Sequence, residues 1–343
     1  MSSTTTATST ATSTITSSAI ASSSSSDFQL YRYQPKKGLA YVASILFGLW
    51  TVMIAIEIFV KYVKASHLFK STTSYNLNRG LIKKTLSSVC FKIYIPLIIG
   101  AMMEIGGYIS RIFSSKDRYA KIPYIAQSLL ILVAPGMISA TIYMLFHRMI
   151  KYLNVPDNSR VGIFIKDSLL VKVFVAGDII SFFLQAGGGG IMSKESTVHT
   201  GEVIIIIGLI VQLVSFGIFL FVQLHFTLRY KNFSKNFYYL EVSDKWKYLN
   251  YSLFAASIFI LIRSIVRVAE FVQGFDGFIA SHEAFLYIFD GLAMLLTLVV
   301  VSISFLFTDI GEMFYQHFTI TYAQNETADK DFAYKTETSD SYD

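Results

Sequence analysis

The chain has 343 residues, 53% of them apolar and only 15% charged, with a mean hydropathy of +0.51. That balance excludes a disordered, collagenous or coiled-coil chain and points to a protein whose solvent is lipid. The formal net charge of +6 is no sign of nucleic acid, because the basic residues follow membrane topology, so no nucleic-acid partner is expected.

Residues 1–38 form a tail whose first 26 positions hold nineteen Ser or Thr and no apolar core. It reads as a low-complexity extracellular segment and not as a signal peptide. Seven apolar runs follow, at about 39–60, 86–110, 123–146, 168–189, 202–226, 248–269 and 284–308. Each is long enough to cross a hydrocarbon core of about 30 Å as a helix. Outer-membrane strands would be far shorter and would alternate strictly. The expected fold is therefore all-α: an integral membrane protein with seven transmembrane helices over 39–308, followed by an acidic tail over 309–343.

Lys and Arg in alternate connections number eight on the side of the N-terminal tail and seventeen on the other. The positive-inside rule then places the N-terminus outside and the C-terminus in the cytosol. No connection has room for a soluble catalytic or nucleotide-binding domain. Gly187–Gly190 lacks the spacing of a phosphate loop, and no two histidines form a spaced pair on one helix. The single cysteine, Cys90, excludes an internal disulfide and a cysteine-based zinc site. No catalytic residue, metal or cofactor is expected.

The informative residues are the polar ones kept inside the spans, where an ionised side chain costs about 2.5–3.5 kcal/mol on insertion scales. Glu104, Tyr108 and Arg111 in the second span are spaced i, i+4, i+7, which puts them on one helical stripe. In the fourth, Asp178, Ser181 and Gln185 form another stripe. Arg263, Arg267 and Glu270 repeat the spacing of the second span in the sixth, and so do Glu283, Tyr287 and Asp290 at the start of the seventh. Glu57 and Lys61 read as a local i, i+4 pair. Ala134-Pro135-Gly136 loosens the third span near its middle, and Gly187–Gly190 either ends the fourth helix or lets a loop bend over a cavity.

Opposite charges at similar depth on different helices suit a buried ion network that fixes helix register. They equally suit a polar cavity, open to the outside, that receives a charged or zwitterionic head group. The candidate substrate-binding residues are Glu104, Tyr108, Asp178, Gln185, Arg263, Arg267, Glu270, Tyr287 and Asp290. A lipid ammonium would meet Glu104, Asp178 or Asp290, and a phosphate would meet Arg263 and Arg267.

These stripes, with Ala134-Pro135, Gly177-Asp178, Gln185-Ala-Gly-Gly-Gly, Gly208-Leu-x-x-Gln212 and Gln273-Gly274, resemble the fungal RTA-like or lipid-translocating exporter family over roughly residues 40–308. Phe305-Leu-Phe-Thr-Asp309 departs from the His-Pro pair expected there in many relatives. The resemblance implies a seven-span plasma-membrane protein handling amphipathic lipids, of sphingoid-base or phospholipid type, or lipid-like toxicants, and conferring resistance to them. The alternative is a receptor-like sensor of membrane lipid asymmetry or drug stress, whose acidic cytosolic tail would meet a cytosolic partner.

Overall fold

The computed structural model describes residues 37–71, 79–116, 121–153, 167–192, 195–230, 245–274 and 277–308. The two tails and much of the connections in which basic residues were counted lie outside the described residues.

The described chain comprises α1 (Lys37–Ser71), α2 (Arg79–Ser114), α3 (Lys121–Tyr152), α4 (Asp167–Met192), a 3-10 turn (Glu195–Thr197), α5 (Val198–Tyr230) and α6 (Lys245–Gln273). Two short helices, α7 (Phe278–Ser281) and α8 (Glu283–Phe285), precede a π-helical stretch (Leu286–Leu292) and α9 (Ala293–Phe307). Seven stretches are long and apolar enough to cross a membrane, the last running from Glu283 to Phe307 through α8, the π stretch and α9. The protein is thus an all-helical multi-pass membrane protein, as the apolar runs indicate. Its helices extend beyond the apolar runs themselves; the fifth span covers Val198–Arg229, for instance, against an apolar run of 202–226.

Consecutive helices are neighbours, α9 returns to pack on α1, and α3 crosses the interior to touch α6. Helix α3 is accordingly the most enclosed: 67% of its most apolar window is buried, against 22% for α4. The outward faces carry Leu49, Phe59, Phe183, Leu228 and Phe307, all exposed. In lipid such side chains need no cover, and packing depends on close fit instead. Helices α2, α4 and α6 finish, and α3, α5 and the seventh span begin, at one end of the bundle, termed the upper end below.

Between α4 and α5 the two backbones themselves come into contact. A Cβ on Gly201 would lie 2.5 Å from the Gly188 carbonyl oxygen, and one on Gly188 would lie 2.7 Å from the Gly201 carbonyl oxygen. Gly187–Gly190 therefore does not end the fourth helix: α4 runs on to Met192, because the glycines let two backbones touch. Gly274, at φ 71°, stops α6 where a side chain would be strained.

In the lower half the interior is filled by an aromatic cluster. Tyr143 and Phe219 have ring centroids 4.5 Å apart, and Phe146 sits edge-on to Phe219 and Phe226 at 5.6 and 5.3 Å. Phe174 and Phe216 complete it. Edge-to-face packing of this kind adds to the area that the rings bury.

Candidate functional site

Helix α6 presents Arg263 and Arg267 one turn apart, and both are ion-paired to Asp290 of the π stretch. Arg267 also donates to Glu270 at 2.9 Å. Arg263 and Asp290 have side chains only 1% and 4% exposed, so each ion needs the other to offset the loss of water.

Arg263 has a second task that begins with Pro135. Proline has no N–H, which leaves the carbonyl four residues earlier, that of Ile131, without its helical donor. Arg263 Nη2 supplies one, donating to the Ile131 oxygen at 2.5 Å. The Ala134-Pro135-Gly136 break in α3 is thus an anchoring point for α6, in keeping with the rule that backbone groups freed at membrane depth must be satisfied by a neighbour.

The stripe at the start of the seventh span serves two helices. Glu283 accepts from Arg111 Nη2 at 2.9 Å, and Tyr287 accepts from Arg111 Nε at 3.1 Å, both toward α2. Asp290 faces α6 instead. The π stretch turns less per residue than an α-helix, so it separates positions that an α-helical stripe would hold together. Tyr108 of α2 stacks between Phe47 and Tyr287, with centroids 5.5 and 6.1 Å away.

Glu104 is fully buried, and neither carboxylate oxygen has a hydrogen-bond partner among the described residues. It lies within electrostatic reach of Asp290, Arg263 and Arg267.

Asp178 and Gln185 belong to a different place, the seam of α3, α4 and α5. Ser139 Oγ donates to Asp178 Oδ2 at 2.6 Å, while Oδ1 is buried without a partner among the described residues. One to two turns higher, Gln185 Nε2 donates to Gln212 Oε1 at 2.9 Å. The expected Glu57–Lys61 pair lies in part outside the described side chains; Glu57 accepts from Ser302 Oγ of α9 at 2.7 Å.

The nine candidate residues therefore do not line one cavity. Arg263, Arg267, Glu270 and Asp290 border a crevice too narrow for more than a water molecule. The larger opening lies beside it, between the upper ends of α3, α4, α5 and α6. This cleft encloses about 660 Å³, counting the part open to the surroundings, and is lined by Tyr124, Ser128, Leu129, Leu132, Glu202, Ile205, Glu270 and Phe271 among others. Among the described residues, only Glu270 borders both. Glu202 was missed by sequence reasoning because it stands alone at the start of a span, with no partner at helical spacing. Arg111, Glu283 and Gln212 were visible in the motifs but carried no binding role, and Ser139 gave no signal beyond its place one turn after Pro135.

The family model for RTA1 like protein matches residues 97–312, a stretch that contains the ion network, the π turn and the cleft. The chain belongs to the RTA1-like family. It is similar to Protoporphyrin uptake protein 1 of Saccharomyces cerevisiae, 38% identical over 84% of this chain and 96% of that protein. Protein RTM1 of Saccharomyces cerevisiae is also 38% identical, over 84% of this chain and 94% of its own. A more distant relative is the Sphingoid long-chain base transporter RSB1 of Saccharomyces cerevisiae strain Lalvin EC1118, 25% identical over 61% of this chain and 63% of that protein. No solved structure matches the chain.

Proposed function

We propose that the protein is a plasma-membrane translocator of amphipathic lipids or lipid-like toxicants, which enter through the upper-end cleft with a cationic head group foremost. The observation that carries this reading is the composition of that cleft: two carboxylates, Glu202 and Glu270, set among Tyr124, Leu129, Leu132, Ile205 and Phe271. An ammonium head would gain charge-assisted hydrogen bonds from the carboxylates while its chain stays against apolar walls. The relative named as a sphingoid long-chain base transporter supports a substrate of this shape. Below the cleft, Gln185, Gln212, Asp178 and Ser139 continue a line of polar groups along the α3–α4–α5 seam, which supports a path for the head group toward mid-depth. The charge count supports an upper end that faces outward, with the acidic tail in the cytosol. The work is binding and movement, with no bond made or broken in the substrate.

The aromatic cluster filling the lower half favours a second reading, a seven-span sensor that binds the same amphiphile and signals through its cytosolic tail without passing it on. Purified protein in liposomes, with no other protein present, separates the two. A fluorescent long-chain amine should cross leaflets faster than in empty liposomes, and Glu202→Gln should slow the amine more than a neutral amphiphile of equal chain length. Binding of the amine with no crossing above the empty-liposome rate would establish the sensor.

A further inference from the structure

A carboxylate enclosed by protein at membrane depth is stable only if an opposite charge, hydrogen-bond donors or a proton accompanies it. Four other acids in the spans meet that condition with protein partners: the buried Asp290 with two arginines and Glu57 with Ser302, and the half-buried Glu270 with Arg267 and Glu283 with Arg111. Glu104 does not, for it has no exposure and neither oxygen has a donor among the described residues. On its own helix the titratable neighbours are Tyr108 and Arg111, one and two turns toward the upper end. Helix α6 brings Arg263 and Arg267, and the π stretch brings Tyr287 and Asp290. Helix α1 brings the uncharged Phe47, which stacks on Tyr108. Helix α3 meets α2 here through Ile131, Ala134 and Ile138, which pack on Gly107 and Gly100.

The cations within reach are therefore Arg263 and Arg267, both already held by Asp290. The two arginines and the two carboxylates Glu104 and Asp290 form a set with alternative pairings. Arg263 is fixed to α3 through the Ile131 carbonyl. Arg267 is the freer of the two, shared between Asp290 and Glu270, and Glu270 is part of the cleft wall.

We propose that Glu104 is a proton-exchange site coupled through Arg267 and Glu270 to occupation of the cleft. With the cleft empty, Glu270 and Asp290 hold Arg267, and Glu104 carries a proton on one carboxylate oxygen. A cationic amphiphile in the cleft takes Glu270 as its counter-ion, Arg267 turns toward Glu104, and the Glu104 O–H bond gives up its proton by way of the neighbouring Asp290 carboxylate, which borders the crevice and passes it to solvent there. One cation enters as one proton leaves, so the buried charge is unchanged at every stage. The coupling is reciprocal, as any linkage between two sites must be: a proton on Glu104 weakens amphiphile binding by the factor by which the amphiphile weakens proton binding. This inference rests on the cleft as the amphiphile site and adds the ion that moves against the amphiphile.

Two measurements test it. Infrared difference spectra of the full-length protein in membranes, taken as the pH is changed, should show a carboxylic-acid C=O band that is shifted in Glu104→Asp and missing in Glu104→Gln. The same difference spectrum in wild type and Glu104→Gln would overturn the proton site, whatever the transport result. In the second, wild-type proteoliposomes made one pH unit more acidic inside receive a fluorescent quaternary ammonium amphiphile, whose charge does not depend on pH. One-for-one exchange predicts about tenfold accumulation inside, since the probe ratio then equals the proton ratio. Equilibration to equal concentrations despite the gradient would overturn the coupling. Failure of the probe to cross even without a gradient would count against the cleft as a translocation site, while the infrared result would still decide the role of Glu104.

Discussion

Asp290→Asn is the most informative single change, because among the described residues Asp290 is the one carboxylate ion-paired to both Arg263 and Arg267. The amide keeps the shape but leaves two guanidinium groups whose side chains are 1% and 9% exposed. Breaking a buried pair by neutralising one partner costs about 3–5 kcal/mol. Here the cost falls near the lower bound, because Arg267 keeps Glu270 and Arg263 keeps the Ile131 carbonyl. With an unfolding entropy of about 2.1 cal/mol/K per residue, a chain of this size loses about 1.4 °C per kcal/mol, and the midpoint of unfolding should fall by roughly 4 °C. The assay is the fraction of monodisperse protein surviving heat steps in detergent, read by size-exclusion chromatography. Arg263→Met in the same chain should recover part of the loss, since it removes one of the two stranded cations; an interaction energy of about 1–3 kcal/mol is expected for residues in direct contact. The opposing cost is the orphaned Ile131 carbonyl, worth about 1–3 kcal/mol. Replacing Pro135 by Ala in the double variant offsets it by restoring the N–H that bonds that carbonyl. A midpoint for Asp290→Asn within about 1 °C of wild type, or strictly additive effects with Arg263→Met, would refute the ion network as a load on the fold.

Asp178→Asn should fold and reach the surface, because the amide oxygen can still accept from Ser139, but cells should lose protection against a cationic sphingoid base while keeping it against a neutral amphiphile; equal protection against both would make Asp178 a purely structural group. Gly201→Val should force α4 and α5 apart, since even a Cβ would sit 2.5 Å from the Gly188 carbonyl oxygen, and should lower the unfolding midpoint by the few degrees that an overpacking cost of about 1–3 kcal/mol implies. A wild-type midpoint would show that the contact yields. Protease added to intact cells should trim the Ser/Thr tail before α1 and spare the acidic tail after α9; trimming of the acidic tail alone would reverse the orientation.

The number of spans was legible because an apolar run of twenty or so residues is a direct consequence of hydrocarbon thickness and needs no tertiary information. The charged stripes were legible for the same reason, since a polar residue in such a run must have a purpose. Their partners were not. Arg263 and Ile131 are 132 positions apart, and nothing in either sequence neighbourhood announces that a proline-freed carbonyl will be met by an arginine. The π stretch was equally silent. Glu283, Tyr287 and Asp290 fit an α-helical stripe on paper, and only the positions of α2 and α6 require Asp290 to turn away from the other two. The cleft escaped because it is built from the ends of four helices, where each contributing residue, Glu202 included, looks like an ordinary boundary position.

Burial separates the polar residues into two kinds, and the separation bears on mechanism. Arg263, Arg267 and Asp290 hold one another in a space without room for a substrate, so their charges cannot be the first thing an incoming head group meets. Glu202 and Glu270 stand at the opening, where a cation can reach them at little desolvation cost. A head group selected at the opening must still change something deeper if the lower half is to open, because the Tyr143–Phe219 cluster fills it. In the proposed translocator Glu270 would transmit that change, since it shares Arg267 with Asp290 and the cleft with Glu202. A substrate that competes for Glu270 acts on the bond that ties α6 to the π stretch. That stretch is the part of the seventh span whose hydrogen bonding differs from an α-helix, and return to α-helical winding would rotate Asp290 and everything below it in the seventh helix. The physical requirement for coupling, a two-state element that both sites bias, is therefore best met by the π stretch.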